Sequence, residues 1–363
     1  MVESPFLPAW APRAVQRAPY RGVVTATAFV DQGGSQAPAS QLTDALAQGA
    51  VLYDWAWRRR LRAAGPDTRQ WLNGMVTGNV RDLEVGQSVP AFLLNAKGRI
   101  LGQVEVVALA PDEFVILTDA TQSATLYQEL ERFIIMEEIE FEDRSAAWTT
   151  LAVRGAAARR ALAALELPPL PTVAGNWVRC PATEWGELEV RCRALRGPVV
   201  ARVQCETFEV SVAPEHAVAL WKALAGGAVA LPAAHQEQDR ILSGLPLYGV
   251  DIRSTELPQE TEQLQNLHFA KGCYLGQEIV ERIRSRGNVH RRFGGFLFAG
   301  AVTAGEKLLR DGAEVGELTS VTPLGDGRWW ALGYVKRELG GRAAPVATAT
   351  SPGEFVPLAN EAQ

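Results

Sequence analysis

A chain of 363 residues with 47% hydrophobic and 21% charged residues can fill two or three cooperating cores, and its balance lies far from that of a disordered chain. A formal net charge of -5 provides no general attraction to nucleic acid or to an anionic membrane surface, so any polyanion contact has to be local. The opening MVESPFLPAW has neither the basic start nor the unbroken apolar stretch of a secretory signal, and no run approaches the roughly 18 apolar residues of a spanning helix; a cytoplasmic protein without membrane contact is expected.

Residues 1–40, rich in proline and small polar residues, read as an irregular arm that Trp10 could anchor. LTDALAQG then suits a short amphipathic helix with Gly49 at its end, followed by a strand over 51–53. Gly65-Pro66-Asp67 breaks the chain and caps a helix carrying Trp71, Leu72 and Met75. Residues 89–94 and 101–108 flank the turn Asn95-Ala96-Lys97-Gly98 as a hairpin, and a second turn at Pro111-Asp112-Glu113 leads to a strand over 114–117. Asp119 is expected to cap a helix through Leu126, Leu130 and Phe133.

A second α+β stretch follows from Trp148 to about Leu247, with helices near 156–165 and 216–224. Beyond Arg292 the runs FGGFLFAG, EVGELTS and WALGYVKREL are short and β-like, separated by glycine turns, as in a small barrel. The expected fold class is α+β: two antiparallel-sheet modules at 41–147 and 148–289 after an arm at 1–40, and a C-terminal β-barrel at 290–363.

The cysteines Cys180, Cys192, Cys205 and Cys273 are too sparse for a disulfide framework and form no CxxC pair, which fits a reducing compartment. The histidines His216, His235, His268 and His290 fall in no ligating pattern, so no dedicated metal site is expected.

The most informative string is Lys271-Gly272-Cys273-Tyr274-Leu275-Gly276-Gln277-Glu278. Its glycines permit φ > 0 and a near approach of backbone to ligand, and Lys271 and Arg282 lie close enough in sequence to lower a thiol pKa. A structural cysteine in a tight turn is the alternative. With Leu257-Pro258-Gln259-Glu260 upstream and Ile279-Val280-Glu281-Arg282 downstream, the string resembles the signature of the YgfZ family of folate-binding proteins.

A broader resemblance to the aminomethyltransferase superfamily rests on Gly65-Pro66-Asp67, Thr77-Gly78-Asn79-Val80, the segment from Arg240 through Gly244, Pro246, Gly249 and Asp251, and the C-terminal runs at 315–320 and 332–335. It implies two α+β modules and a barrel around a folate cavity. On that resemblance tetrahydrofolate or a derivative is the ligand, and Arg240, Glu209, Tyr248, Asp251 and Arg282 are the candidate contacts. The usual lead-in to the pterin glutamate is here Arg202-Val203-Gln204-Cys205-Glu206, a departure that bears on Glu209.

A second departure follows the Asn95 turn. Where the aminomethyltransferase pattern carries acids, this chain has Gly102-Gln103, and neither accepts a proton at neutral pH. The resemblance to YgfZ therefore implies an accessory role in iron–sulfur cluster assembly or repair through the Cys273 loop, with iron–sulfur enzymes or assembly proteins as partners. The alternative is a true aminomethyltransferase in which Glu105 or Asp119 replaces the missing acid. A third reading, RNA contact through Arg282, Arg284, Arg286, Arg291 and Arg292, rests on composition alone, and the run has no interleaved aromatics for base stacking.

Overall fold

The computed structural model describes residues 1–358 except 12, 31–37, 194, 288 and 340–342, together with all but the side chains of Ala182 and Arg286. Among the described residues the strands form three sheets and a closed barrel. This is the α+β architecture with a C-terminal barrel that the sequence implies.

The chain before residue 40 is not an irregular arm where it is described. Val15–Tyr20 and Val23–Phe29 pair antiparallel, with Val2–Glu3 added in parallel, and Val23, Ala26 and Phe29 are buried in the core. Trp10 is buried, with its ring 5.3 Å from that of Trp221. Residues 31–37 of the expected arm lie outside the described residues.

The central sheet runs in the order Trp177–Thr183, Gly186–Arg193, Glu206–Val212, Thr149–Gly155, Val51–Asp54, Val229–Ala230. Segments 41–147 and 148–289 thus share one sheet, since Val51–Asp54 pairs with Thr149–Gly155. A five-stranded sheet is ordered Ser88–Leu94, Ile100–Ala110, Glu113–Asp119, Arg58–Ala64, Glu140–Asp143. The chain crosses from one sheet to the other within Trp55, Ala56 and Trp57: Trp55 N donates to Thr150 O at 3.0 Å, and Arg58 N to Trp55 O at 2.8 Å.

Helix Thr68–Met75 buries Trp71, Leu72 and Met75 against the five-stranded sheet, as their spacing implies. Asp67 precedes it, but its carboxylate accepts from Glu138 N at 2.8 Å instead of capping the helix. Gln122, not Asp119, sits at the start of helix Ser123–Glu131, and Phe133 lies past its end.

Helix Ala233–Leu242 lies between the central sheet and the barrel. Tyr53 Oη donates to Asp239 at 3.1 Å on one side, and Trp330 Nε1 donates to Ile241 O at 2.8 Å on the other. The barrel closes in the order Arg291–Phe298, Trp329–Lys336, Ala313–Pro323, Lys307–Arg310, Ala344–Ala347, Pro352–Val356 around Phe296, Phe298, Leu308 and Phe355. No described helix is long and apolar enough to cross a membrane.

Candidate functional site

A cavity of about 320 Å³ opens where the two sheets, the Ala233–Leu242 helix and the loops after it converge. That is within the usual range of roughly 300–1,000 Å³ for small-molecule sites. Trp55 and Trp57, from the crossing segment, form part of its wall with ring centroids 5.3 Å apart. Gln236 on the Ala233–Leu242 helix fixes both indoles. With its carbonyl oxygen facing them, it accepts from Trp55 Nε1 at 2.9 Å and Trp57 Nε1 at 3.2 Å. The guanidinium of Arg21 lies 4.3 Å from the Trp57 ring centroid, a cation–π contact that holds the indole from the N-terminal sheet.

A second part of the wall is made of carboxamides. Gln103 N donates to Gln122 Oε1 at 3.0 Å, and Gln103 Nε2 donates to Gln263 Oε1 at 2.9 Å. Gln263 Nε2 and Asn266 Nδ2 are buried there without an acceptor among the described residues. Gly102, the other residue at the departure after the Asn95 turn, is required by packing. A Cβ on it would lie 2.5 Å from Leu126 Cδ2 and 2.9 Å from Gln122 Oε1, so helix Ser123–Glu131 leaves no room for a side chain.

The carboxylates that line the cavity are Glu105, Asp119 and Asp239, and each faces an arginine. Glu105 meets Arg191 at 2.7 Å, Arg193 at 3.2 Å and Arg58 at 3.5 Å, and accepts from Ser88 Oγ at 2.6 Å. Burial pushes its pKa up, but Arg191 and Arg193 override that and hold it below the ordinary carboxylate range. Asp239 is held by Arg154 at 2.8 Å. Asp119 has a looser pair with Arg21 at 3.5 Å and accepts from Thr121 Oγ1 at 3.1 Å.

Glu209 belongs to the same charge cluster and does not line the cavity. It faces Arg191 across paired strands and takes the guanidiniums of Arg191, Arg193 and, at 2.8 Å, Arg58. Burial opposes its charge; Arg191, Arg58 and Arg193 outweigh this and keep it ionised far below its usual range. Arg58 pays for the crowding: burial brings its pKa down to about 10.

Arg240 lines the cavity, yet all five of its N–H groups serve the fold. Nε and Nη2 donate to Glu237, Nη1 to Leu245 O at 2.7 Å and Asp251 at 2.6 Å, and Nη2 to Ser320 Oγ at 2.9 Å. Asp251 is fully buried beneath it and also accepts from Leu247 N at 2.9 Å and Ser320 Oγ at 2.7 Å. These two residues tie the helix, the following loop and the barrel together. Tyr248 lines the cavity, with burial and then Glu256 pushing its phenol up. Arg282 is on the exposed face of helix Gln277–Arg286, paired with Glu278 at 2.6 Å, and is not part of the cavity.

The signature string stands apart from the cavity: among the described residues none of 271–278 lines it. Lys271 is engaged by the backbone. Its ammonium is buried in a cage of backbone carbonyls at the end of helix Thr68–Met75, donating to Asn73 O and Val76 O at 2.5 Å and Gly78 O at 2.7 Å. Burial, with Arg81 adding to it, brings its pKa down to about 7. Tyr274 is buried among Phe92, Leu94 and Ile100, where burial pushes its phenol up to about 12. Gln277 accepts from Tyr274 N at 3.1 Å, and Gly276 has φ of 82°, where a Cβ would come within 2.6 Å of Asn95 O. This anchored loop leaves Cys273 exposed, while Cys180 and Cys192 are buried with thiols pushed up by that burial.

The arginine run is largely neutralised: Arg284 pairs with Glu281, Arg291 with Glu256 and Glu260, and Arg292 with Glu262. Among the described residues no group of three or more His, Cys, Asp or Glu could hold a metal ion.

Trp55, Trp57, Arg58, Arg191, Arg193, Gln236, Gln263 and Asn266 were not singled out from sequence. The alternation of Arg191 and Arg193 about Cys192 is a signal for two of them, since it places both on one face of strand Gly186–Arg193. The amides carry no comparable signal.

This architecture is found in the glycine-cleavage system aminomethyltransferase T of Bartonella henselae, which superposes with a TM-score of 0.84 at 19% identity over 98% of this chain and 96% of that one. The fold is therefore that of the glycine-cleavage T-proteins. The model of the GCVT N-terminal domain matches residues 20–269, and the chain belongs to that family. Among similar proteins are the aminomethyltransferase of Streptomyces coelicolor, 28% identical over 79% of this chain and 78% of the relative, and that of Thermus thermophilus, 28% identical over 86% and 89%. A chloroplastic protein of Arabidopsis thaliana named as a transferase is 23% identical over 86% of this chain and 70% of its own length.

Proposed function

We propose that the chain binds tetrahydrofolate or a close derivative in the central cavity without transferring an aminomethyl group, as an accessory protein of the YgfZ type. The observation that carries folate binding is the wall itself: two indoles locked by Gln236 beside buried carboxamide donors that lack acceptors. A flat heterocycle with polar edges satisfies both at once. Trp55, Trp57 and Tyr248 would supply faces, and Gln103, Gln122, Gln263 and Asn266 the edge contacts. A bound reduced folate would contribute a carrier for one-carbon units.

Gln103 at the position of the missing acid and the ion pairs on Glu105 and Asp239 support the lack of transfer. A role in iron–sulfur cluster assembly or repair is supported by the YgfZ-like signature and by the exposure of Cys273 on a loop anchored by Lys271 and Tyr274. Aminomethyl transfer is the second reading. The names of the relatives favour it, and Asp119, with its loose pair to Arg21, is the carboxylate that would serve.

Calorimetric titration with tetrahydrofolate tests the assignment of the cavity. Trp57→Leu is expected to weaken binding by about ten-fold through loss of an aromatic face, typically worth about 1–3 kcal/mol per stacked base. Unchanged affinity in the folded variant would place the ligand elsewhere.

A further inference from the structure

Two amide donors on one wall of the cavity are left unused by the protein. Asn266 is 1% exposed, and its Nδ2 has no acceptor among the described residues; neither has Nε2 of Gln263 on the same turn. Both line the cavity. Their orientation is set from behind. Asn266 N donates to Gln263 O at 3.0 Å, Asn266 O accepts from Thr77 Oγ1, and His268 N donates to Thr77 O at 3.0 Å. Gln263 Oε1 is taken by Gln103 Nε2, which leaves the Gln263 nitrogen to the cavity. A buried donor without a partner is unfavourable, so a ligand that brings an acceptor to this wall gains what the empty wall lacks.

We propose that Gln263 and Asn266 select the ligand by its acceptor edge, taking a 4-oxo pteridine in preference to its 4-amino counterpart. The inference rests on the folate reading and adds the chemical group that is read. A carbonyl oxygen has two lone pairs and can accept from both amides. An amino group at the same ring position turns donors toward donors there, and the acceptor that this exchange creates is on the neighbouring ring nitrogen and has one lone pair where the carbonyl has two. A site built to pair a polar group discriminates strongly against an analogue that cannot complete the bond.

The test compares folic acid with aminopterin, which differ in the group at position 4 and, by one exchangeable proton, at the neighbouring ring nitrogen. The wild-type protein is expected to favour folic acid by about 100-fold, on the order of ten-fold for each hydrogen bond. Asn266→Asp replaces the unpaired donor by an acceptor and should cut that ratio by at least about ten-fold. Gln263→Glu makes the same exchange at the second position, and Asn266→Leu removes the donor without adding charge. Both should lower the ratio, and they carry the comparison if the Asp variant does not fold. Equal affinity for the two compounds in wild type, or a ratio that none of the folded variants moves, overturns the inference while folate binding stands. If wild type binds neither compound nor tetrahydrofolate, the folate reading itself fails, and this inference with it.

Discussion

Replacing Glu209 by glutamine separates a structural carboxylate from a ligand-binding one. The side chain keeps its volume, but three buried guanidiniums, Arg58, Arg191 and Arg193, then share Glu105 as their remaining counter-ion in the cluster. Removing one partner from a buried charge network typically costs about 3–5 kcal/mol, because the cations left behind stay desolvated. Urea denaturation at pH 7 should show a loss of that order. The pH dependence provides a second readout. Glu209 and Glu105 have folded pKa values below their ordinary range, so their contribution is fully present above the unfolded carboxylate pKa of about 4.3 and disappears as pH falls through the depressed folded values. Wild type should therefore lose stability in acid more steeply than Glu209→Gln. A stability change under about 1 kcal/mol, combined with a ten-fold or greater loss of tetrahydrofolate affinity, would refute the structural assignment and make Glu209 a ligand contact.

Three further substitutions address the other candidate residues. Arg240→Ala removes a guanidinium whose every donor is engaged within the protein, so it should destabilise by about 3–5 kcal/mol, and Arg240→Lys should not restore the loss; a stable variant with weakened folate binding would show direct ligand contact. Lys271→Met leaves the carbonyls of Asn73, Val76 and Gly78 without their donor and should cost about 2–4 kcal/mol in urea denaturation. Because the folded pKa of Lys271 is lowered to about 7 from 10.5, the unfolded chain holds more protons between those values, so the stability of wild type relative to the Met variant should rise with pH across that window; a flat difference would contradict it. Cys273→Ala should leave folding and folate affinity intact, and in wild type iodoacetamide should modify Cys273 before Cys180 and Cys192. Full rescue of iron–sulfur enzyme activity by the alanine variant in cells lacking the native protein would remove the thiol from the account.

The sequence made the barrel legible, because short apolar runs between glycine turns leave few other solutions. The hairpin around Asn95 was legible for the same reason. Arg58–Ala64 was not, since RRRLRAA resembles a solvated charge run. In the structure Leu61 and Ala63 enter the core, while Arg60 on the other face is buried against Glu189, so the apolar-polar alternation does not signal an exposed face. Helix Ala233–Leu242 was hidden in the same way. Its AAHQEQDRIL has the composition of a surface helix, yet Gln236, Gln238, Asp239 and Arg240 are buried between sheet and barrel.

Less of the candidate site than of the fold is legible in the sequence. Sequence patterns recognise a lysine two residues from a cysteine, but they do not say that the lysine side chain turns to the end of a helix far away in the chain. Arg240 was found as a residue of the cavity, and its saturation by Glu237, Asp251, Leu245 and Ser320 depends on contacts between segments up to 80 positions apart. The amides of Gln263 and Asn266 become noticeable only when tertiary structure shows that they are buried and unpaired.

Folate binding without aminomethyl transfer is tested by a tetrahydrofolate titration run beside a glycine-cleavage assay on the same purified protein. Saturable binding to one site with no turnover above background is the predicted result. Turnover at the rate of a glycine-cleavage aminomethyltransferase, or a complete absence of tetrahydrofolate binding, would contradict it.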